Sequence, residues 1–143
     1  MERTRRLLIV DDSIELMEAV RALLEPKGFE VERASNPFTG VRIAAAHPPD
    51  AIVMDLDMPG MDGVEAMLHL NRIKETRHVP VIAFTGQPLD SIVVPASRTF
   101  IRVVSKSSGL EALEREIEAV LALAPTAATT TRDRDRSSRP GGG

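Results

Sequence analysis

Short uninterrupted apolar runs recur along the chain, each followed by a polar break and then a stretch with helical spacing. "RLLIV" (6–10) predicts a fully buried strand, because no polar face alternates with the apolar one. "SIELMEAVRALLEPKG" follows, with Leu16, Val20, Leu23 and Leu24 on one helical face and Gly28 placed to stop it. Pro26 lacks an amide donor and should tighten or fray the last turn. "FEVERA" (29–34) alternates as a strand does. Asn36 before Pro37 reads as a helix cap followed by proline at the first helical position, with the helix running to about Ala46 before His47-Pro48-Pro49. "AIVM" (51–54) is the next buried strand, and a helix is predicted from Asp62 to about Glu75. "VPVIAF" (79–84) and "FIRVV" (100–104) are two more strands. The last helix is predicted to open at Ser108 with Glu111 completing a capping box, and with Leu110, Leu113, Ile117, Val120 and Leu121 as its apolar face.

Strand and helix thus alternate through five units. Continuously apolar strands need cover on both faces, which predicts an α/β fold with a parallel sheet between two helical layers. In such sheets ligand sites form at the carboxyl ends of the strands, beside the reversal of strand order. "GQPLDSIVVPASRT" (86–99) should hold the fourth helix, but Pro95 limits it to a short or irregular one. From Pro125 the chain reads "PTAATTTRDRDRSSRPGGG", too poor in apolar side chains to offset ordering entropy, and is expected to be disordered. The expected organisation is one domain over 5–124 and a tail over 125–143.

Composition narrows the function classes. Four Phe with no Trp or Tyr leave little for stacking on single-stranded nucleic acid. Residues 1–124 carry 14 Lys/Arg against 19 Asp/Glu, a net −5, and the tail carries four Arg against two Asp, a net +2. An acidic body is a poor match for duplex phosphates. The absence of cysteine removes disulfides, thiol catalysis and thiolate metal sites, and suits a cytoplasmic protein. The first apolar run is too short for a signal-peptide core. No stretch approaches the roughly 20 apolar residues of a membrane span.

Polar residues stand at four predicted strand ends: Asp11-Asp12, Asp55, Thr85 and Ser105-Lys106. In a parallel sheet these converge on one edge. Three carboxylates gathered there repel one another. A hard divalent cation relieves this, and Mg²⁺ takes carboxylate, water and phosphate oxygens. A hydroxyl and an ammonium beside it make a place for a tetrahedral dianion. The glycine-rich "DMPGMDG" after Asp55 suits a tight loop that launches the next helix.

With Asp11-Asp12, "DLDMPGMDG" (55–63), "FTG" (84–86) and Lys106, the chain resembles the receiver domain of two-component response regulators over about residues 5–124. The separations of 43 residues from Asp12 to Asp55, 30 to Thr85 and 21 to Lys106 are similar to those of that family. The resemblance implies a flavodoxin-like (βα)5 fold, doubly wound, with five parallel strands in the order 2-1-3-4-5. It implies Asp55 as the phosphoacceptor, taking a phosphoryl group from a sensor histidine kinase or a histidine phosphotransfer protein. It implies Mg²⁺ held by Asp12, by Asp55, by a water on Asp11 and by the backbone carbonyl of Asp57. Thr85 would hydrogen-bond the phosphoryl oxygens, and Lys106 would pair with them. A carboxylate is a competent covalent phosphoryl acceptor, and such transfer depends mainly on positioning and charge neutralisation. The expected output is altered binding to a downstream protein by a monomer or weak dimer, since no helix-turn-helix or similar DNA-reading module follows residue 124.

Two positions depart from the family pattern. Ser107 stands where a proline with a cis peptide usually follows the lysine; a cis bond before a non-proline costs about 2.5–4 kcal/mol, so Lys106–Ser107 is expected trans. Val103 stands where an aromatic switch residue is usual, so an aromatic rotamer cannot carry the signal, and reshaping of the 86–99 segment is expected instead. These departures keep open a phosphate-independent receiver that acts only as a binding module. The plain structural reading of Asp11-Asp12 is a helix cap, with Asp12 and Glu15 as a box-like pair. "DLD" is similar to the acid motif of haloacid dehalogenase-type phosphatases, but it follows the third strand rather than the first, and the chain has no length for a cap domain. A flavodoxin-type phosphate cradle is absent after the first strand. His47, His69 and His78 are scattered, and Met54, Met58, Met61 and Met67 read as packing.

Overall fold

A computed structural model describes residues 4–56, 63–88 and 101–123. The elements are β1 (Arg5–Val10), α1 (Ile14–Leu24), β2 (Phe29–Ala34), α2 (Pro37–Ala46), β3 (Ala51–Met54), α3 (Gly63–Arg72), β4 (Val81–Thr85), β5 (Ile101–Ser105) and α4 (Leu110–Leu123). The strands form a single parallel sheet in the order β2-β1-β3-β4-β5. This is the flavodoxin-like, doubly wound arrangement that the resemblance implied.

The apolar strands are continuous because each feeds two cores. Leu7, Ile9, Val53, Ile82 and Phe84 pack with Val20 and Leu24 of α1 and with Leu113, Ile117 and Val120 of α4. Their alternate neighbours Leu8, Val10, Ile52, Met54, Val81 and Ala83 pack with Ala44 of α2 and with Ala66, Met67 and Leu70 of α3. Burial of each large aliphatic side chain contributes about 1.5–3 kcal/mol, and the period of two divides that gain between the layers.

Local chemistry sets the helix ends. Asn36 caps α2 by accepting from Thr39 N–H at 2.8 Å, with Pro37 next. Pro26 does tighten the end of α1: Glu25–Lys27 form a 3₁₀ turn, and Gly28 leaves it at φ 96°. Several boundaries move from their predicted places; β4 opens at Val81 rather than Val79. α3 ends at Arg72 and is followed by turns in which buried Thr76 Oγ1 donates to Leu70 carbonyl at 2.7 Å. α4 starts at Leu110, because Ser108 belongs to a 3₁₀ turn and Gly109 at φ 89° separates the two. Most of the 86–99 segment and the tail from residue 125 lie outside the described residues, as does Asp57. Among the described residues no helix is long and apolar enough to cross a membrane.

Gly40 permits a close approach of α2 to β1. A Cβ built there would sit 2.6 Å from Cγ2 of fully buried Val10, and valine is stiff at χ1. Gly40→Ala gains about 1 kcal/mol in helix propensity but meets an overpacking cost of about 1–3 kcal/mol. The expected result is a net loss of stability in urea melts, partly relieved when Val10→Ala is added.

Candidate functional site

The two central strands deliver the acids. β1 and β3 pair in parallel with Val10 opposite Met54, so the next residues, Asp11 and Asp55, emerge side by side. The ladder continues through both: Asp11 N–H donates to Ala34 carbonyl at 3.0 Å, and Asp55 N–H donates to Val10 carbonyl at 2.9 Å. Each residue is therefore still tied to the sheet through its backbone amide. Both side chains are buried, at 2% and 4% exposure, whereas Asp12 is exposed.

Asp11 also organises the start of α1. Its Oδ1 accepts from Ser13 N–H at 2.8 Å, and Ser13 Oγ in turn accepts from Leu16 N–H at 3.1 Å. Ser13, rather than Asp12, is the helix cap. The plain capping reading of the acid pair is thus replaced by one in which the cap lies a residue further on. Ser13 was legible in principle as a hydroxyl just before the periodic run, but the adjacent acids masked it.

Lys106 closes the pocket from β5. Its Nζ lies 3.3 Å from Asp11 Oδ2 and 3.3 Å from Asp55 Oδ2. Burial pulls the ammonium down, but the charges and hydrogen bonds of Asp11 and Asp55 together outweigh that and hold it above its ordinary value of 10.5. Thr85, fully buried, ends β4 directly opposite Ser105 in the sheet register. Its Oγ1 accepts from Gln87 N–H at 3.0 Å, and Gln87 Nε2 reaches Leu56 carbonyl at 3.5 Å. Gln87 was missed in the sequence because nothing periodic marks that loop. The Lys106–Ser107 bond is trans, as expected for a non-proline. Met54 and Met67 are packing residues, fully buried in the α2/α3 layer; Met58 and Met61 lie outside the described residues.

Carboxylate oxygens of Asp11, Asp12 and Asp55 all lie within 4.8 Å of one another. Three acceptor-only groups against one ammonium leave an excess of negative charge, with two of the acids buried. Such a set of hard oxygen donors fits a small divalent cation such as Mg²⁺. The Asp57 carbonyl proposed as a further ligand is not among the described residues.

A doubly wound parallel sheet with paired acids and a lysine at its carboxyl edge defines a class of flavodoxin-like α/β domains. The model of the response regulator receiver domain family matches residues 7–118, and the chain belongs to that family. It is similar to Protein PilH of Pseudomonas aeruginosa, 38% identical over 118 residues that cover 82% of this chain and 98% of PilH. It is also similar to the polar-differentiation response regulator DivK of Brucella ovis, 37% identical over 83 residues covering 58% of this chain and 68% of DivK. In fold it matches the chemotaxis response regulator CheY4 of Vibrio cholerae, with a TM-score of 0.74, 24% identity and coverage of 82% and 99%. It likewise matches the receiver domain of a sensor histidine kinase from Pseudomonas aeruginosa PAO1, whose structure has a magnesium ion coordinated in the active site cleft (TM-score 0.71, 24% identity, coverage 83% and 98%). The chain thus belongs to a family of two-component signalling domains rather than of classical enzymes.

Removing the ammonium while leaving both buried acids should be costly. With a chelator present, Lys106→Met is expected to lower stability by on the order of 1–2 kcal/mol, a buried-pair penalty discounted for the partial exposure of Lys106. Because the folded-state value is raised, the lysine's contribution is whole below its unfolded value and is lost as pH rises through the folded one. Denaturant melts should show a constant gap between wild type and variant from about pH 7 to about pH 10, closing above that. The chain has no tyrosine to confuse the alkaline limb.

Proposed function

We propose that this receiver accepts a phosphoryl group on Asp55 from a sensor histidine kinase or a histidine phosphotransfer protein, in a Mg²⁺-dependent reaction, and signals in the cytoplasm through altered binding to a downstream protein. The observation that carries the reading is the double contact of Lys106 Nζ, 3.3 Å from both Asp11 and Asp55 at the carboxyl edge of the central strands. An ammonium so placed is ready to neutralise charge on an oxygen-rich group that arrives between them.

In the step itself, a carboxylate oxygen of Asp55 forms a bond to phosphorus as the donor's P–N bond breaks. The imidazole leaves with the electron pair of that bond, and an acyl phosphate remains on Asp55. Lys106 exchanges part of its contact with Asp55 for the new phosphoryl oxygens, and the Thr85 hydroxyl hydrogen-bonds another. Asp12 and Asp55, with a water on Asp11, would hold Mg²⁺, joined by the Asp57 carbonyl. Charge neutralisation at the transferring group is the chemistry that the bound ion supplies. Burial of Asp55 limits water at the acceptor. The departures at Val103 and Ser107 favour output through the loop after β4 rather than through an aromatic rotamer, with the protein acting as a monomer or weak dimer.

Intact-mass spectrometry after incubation with acetyl phosphate tests this. The expected result is one added phosphoryl group, lost in Asp55→Ala and lost when Mg²⁺ is chelated. Lys106→Ala should slow the transfer by on the order of 10²-fold, the scale for removing one preorganised donor. A wild-type chain that takes no phosphoryl group from acetyl phosphate or from a kinase donor would instead support the phosphate-independent binding module.

A further inference from the structure

The lysine that closes the site hangs from the edge of the sheet, and its placement rests on a neighbour. Among the described residues β5 pairs with β4 alone, and the pairing ends at Thr85 opposite Ser105. Lys106 is the next residue, so the ladder no longer holds it. Its backbone enters a 3₁₀ turn over Lys106–Ser108 instead. Ser105 is extended at φ −76° and ψ 137° and caps that turn. Its Oγ accepts from Ser107 N–H at 3.2 Å and lies 2.8 Å from Ser107 Oγ. On the far side, Gly109 N–H donates to Lys106 carbonyl at 3.2 Å. A three-residue 3₁₀ turn has few bonds of modest geometry, so each matters to where the chain points.

We infer that the Ser105 hydroxyl is a positioning residue for Lys106: by capping the turn it sets the backbone from which the ammonium reaches Asp11 and Asp55. Lysine is a point charge on a flexible four-carbon stem. Holding it 3.3 Å from two carboxylates at once requires the stem to start from one place in one direction. Ser105 supplies that constraint across a trans Lys106–Ser107 bond. Among the described residues its hydroxyl hydrogen-bonds Ser107, and in the proposed reaction it does not touch the phosphoryl group, so it acts through Lys106. The kinetic consequence rests on the proposed phosphoryl transfer to Asp55, whereas the effect on the lysine does not.

The test compares Ser105→Thr, which keeps a hydroxyl, with Ser105→Val, which has the same shape without one. Two quantities are read on the full chain: the rate of phosphorylation by acetyl phosphate with Mg²⁺, and the mobility of Lys106 Cε by ¹³C relaxation with no phosphodonor present. Ser105→Val is expected to be about fivefold slower, the size of a lost cap, with Lys106 Cε more mobile. Ser105→Thr should stay near wild type in both. In a Lys106→Ala background, Ser105→Val should cause no further slowing. Equal behaviour of Thr and Val, the same fivefold factor without Lys106, or unchanged Cε mobility would each overturn the inference. If wild type takes no phosphoryl group, the phosphoacceptor reading fails, and the relaxation comparison alone decides the role of Ser105. If Ser105→Val loses its native circular dichroism, Ser105→Ala replaces it.

Discussion

Two carboxylates buried side by side repel each other strongly, and a counter-charge between them relieves that repulsion. Asp11 and Asp55 are forced into that position by the parallel register of β1 and β3, and backbone bonds to Ala34 and Val10 keep them there. The rest of the site answers this constraint. Lys106 reaches in from β5 to bridge them, and one oxygen of Asp11 is satisfied by Ser13 N–H at the start of α1. Asp12 adds a third, exposed acid, which leaves the cluster more negative than Lys106 can balance. That residual charge makes the pocket receptive to a hard cation.

The same sheet that creates the constraint also positions its solution. Two-sided burial holds the strands between α1 and α4 on one face and α2 and α3 on the other. The chain runs outward from β1 to β2, then returns to place β3 on the other side of β1. Asp11 and Asp55 stand at that reversal, the place where open parallel sheets form their ligand sites. Thr85 and Lys106 come from the next two strands along the same edge, so side chains 95 residues apart, Lys106 and Asp11, meet within hydrogen-bonding distance.

Where the chain departs from its family's usual pattern, local chemistry supplies an alternative. Ser107 leaves a trans peptide, and the turn after β5 is closed by the Ser105 hydroxyl and by Gly109 rather than by a cis bond. Val103 is a half-buried aliphatic packed against the α2/α3 core, with no aromatic ring to swing. The turn that carries Lys106 is thus held by side-chain and backbone hydrogen bonds of its own residues.

The five strands were legible in the sequence, because short apolar runs, uninterrupted in β1, β3 and β4, alternate with helical segments, and that alternation points to a parallel sheet covered on both faces. Asp11, Asp12, Asp55, Thr85 and Lys106 were legible too, since polar residues that end such strands must gather at one edge. The roles proposed for them came from the resemblance, not from the periodicity. Sequence spacing could not show that Ser13 caps α1, that Ser108 sits in a 3₁₀ turn ahead of α4, or that Gln87 N–H bonds Thr85. Each depends on where a side chain or amide meets a backbone group after the elements have packed. Nor could it show that Lys106 lies equally close to two acids, or that Ser105 turns back to cap the lysine's own turn. Patterning fixes which face of an element is buried; only the tertiary structure decides distance and direction at its ends, where no periodicity constrains the chain.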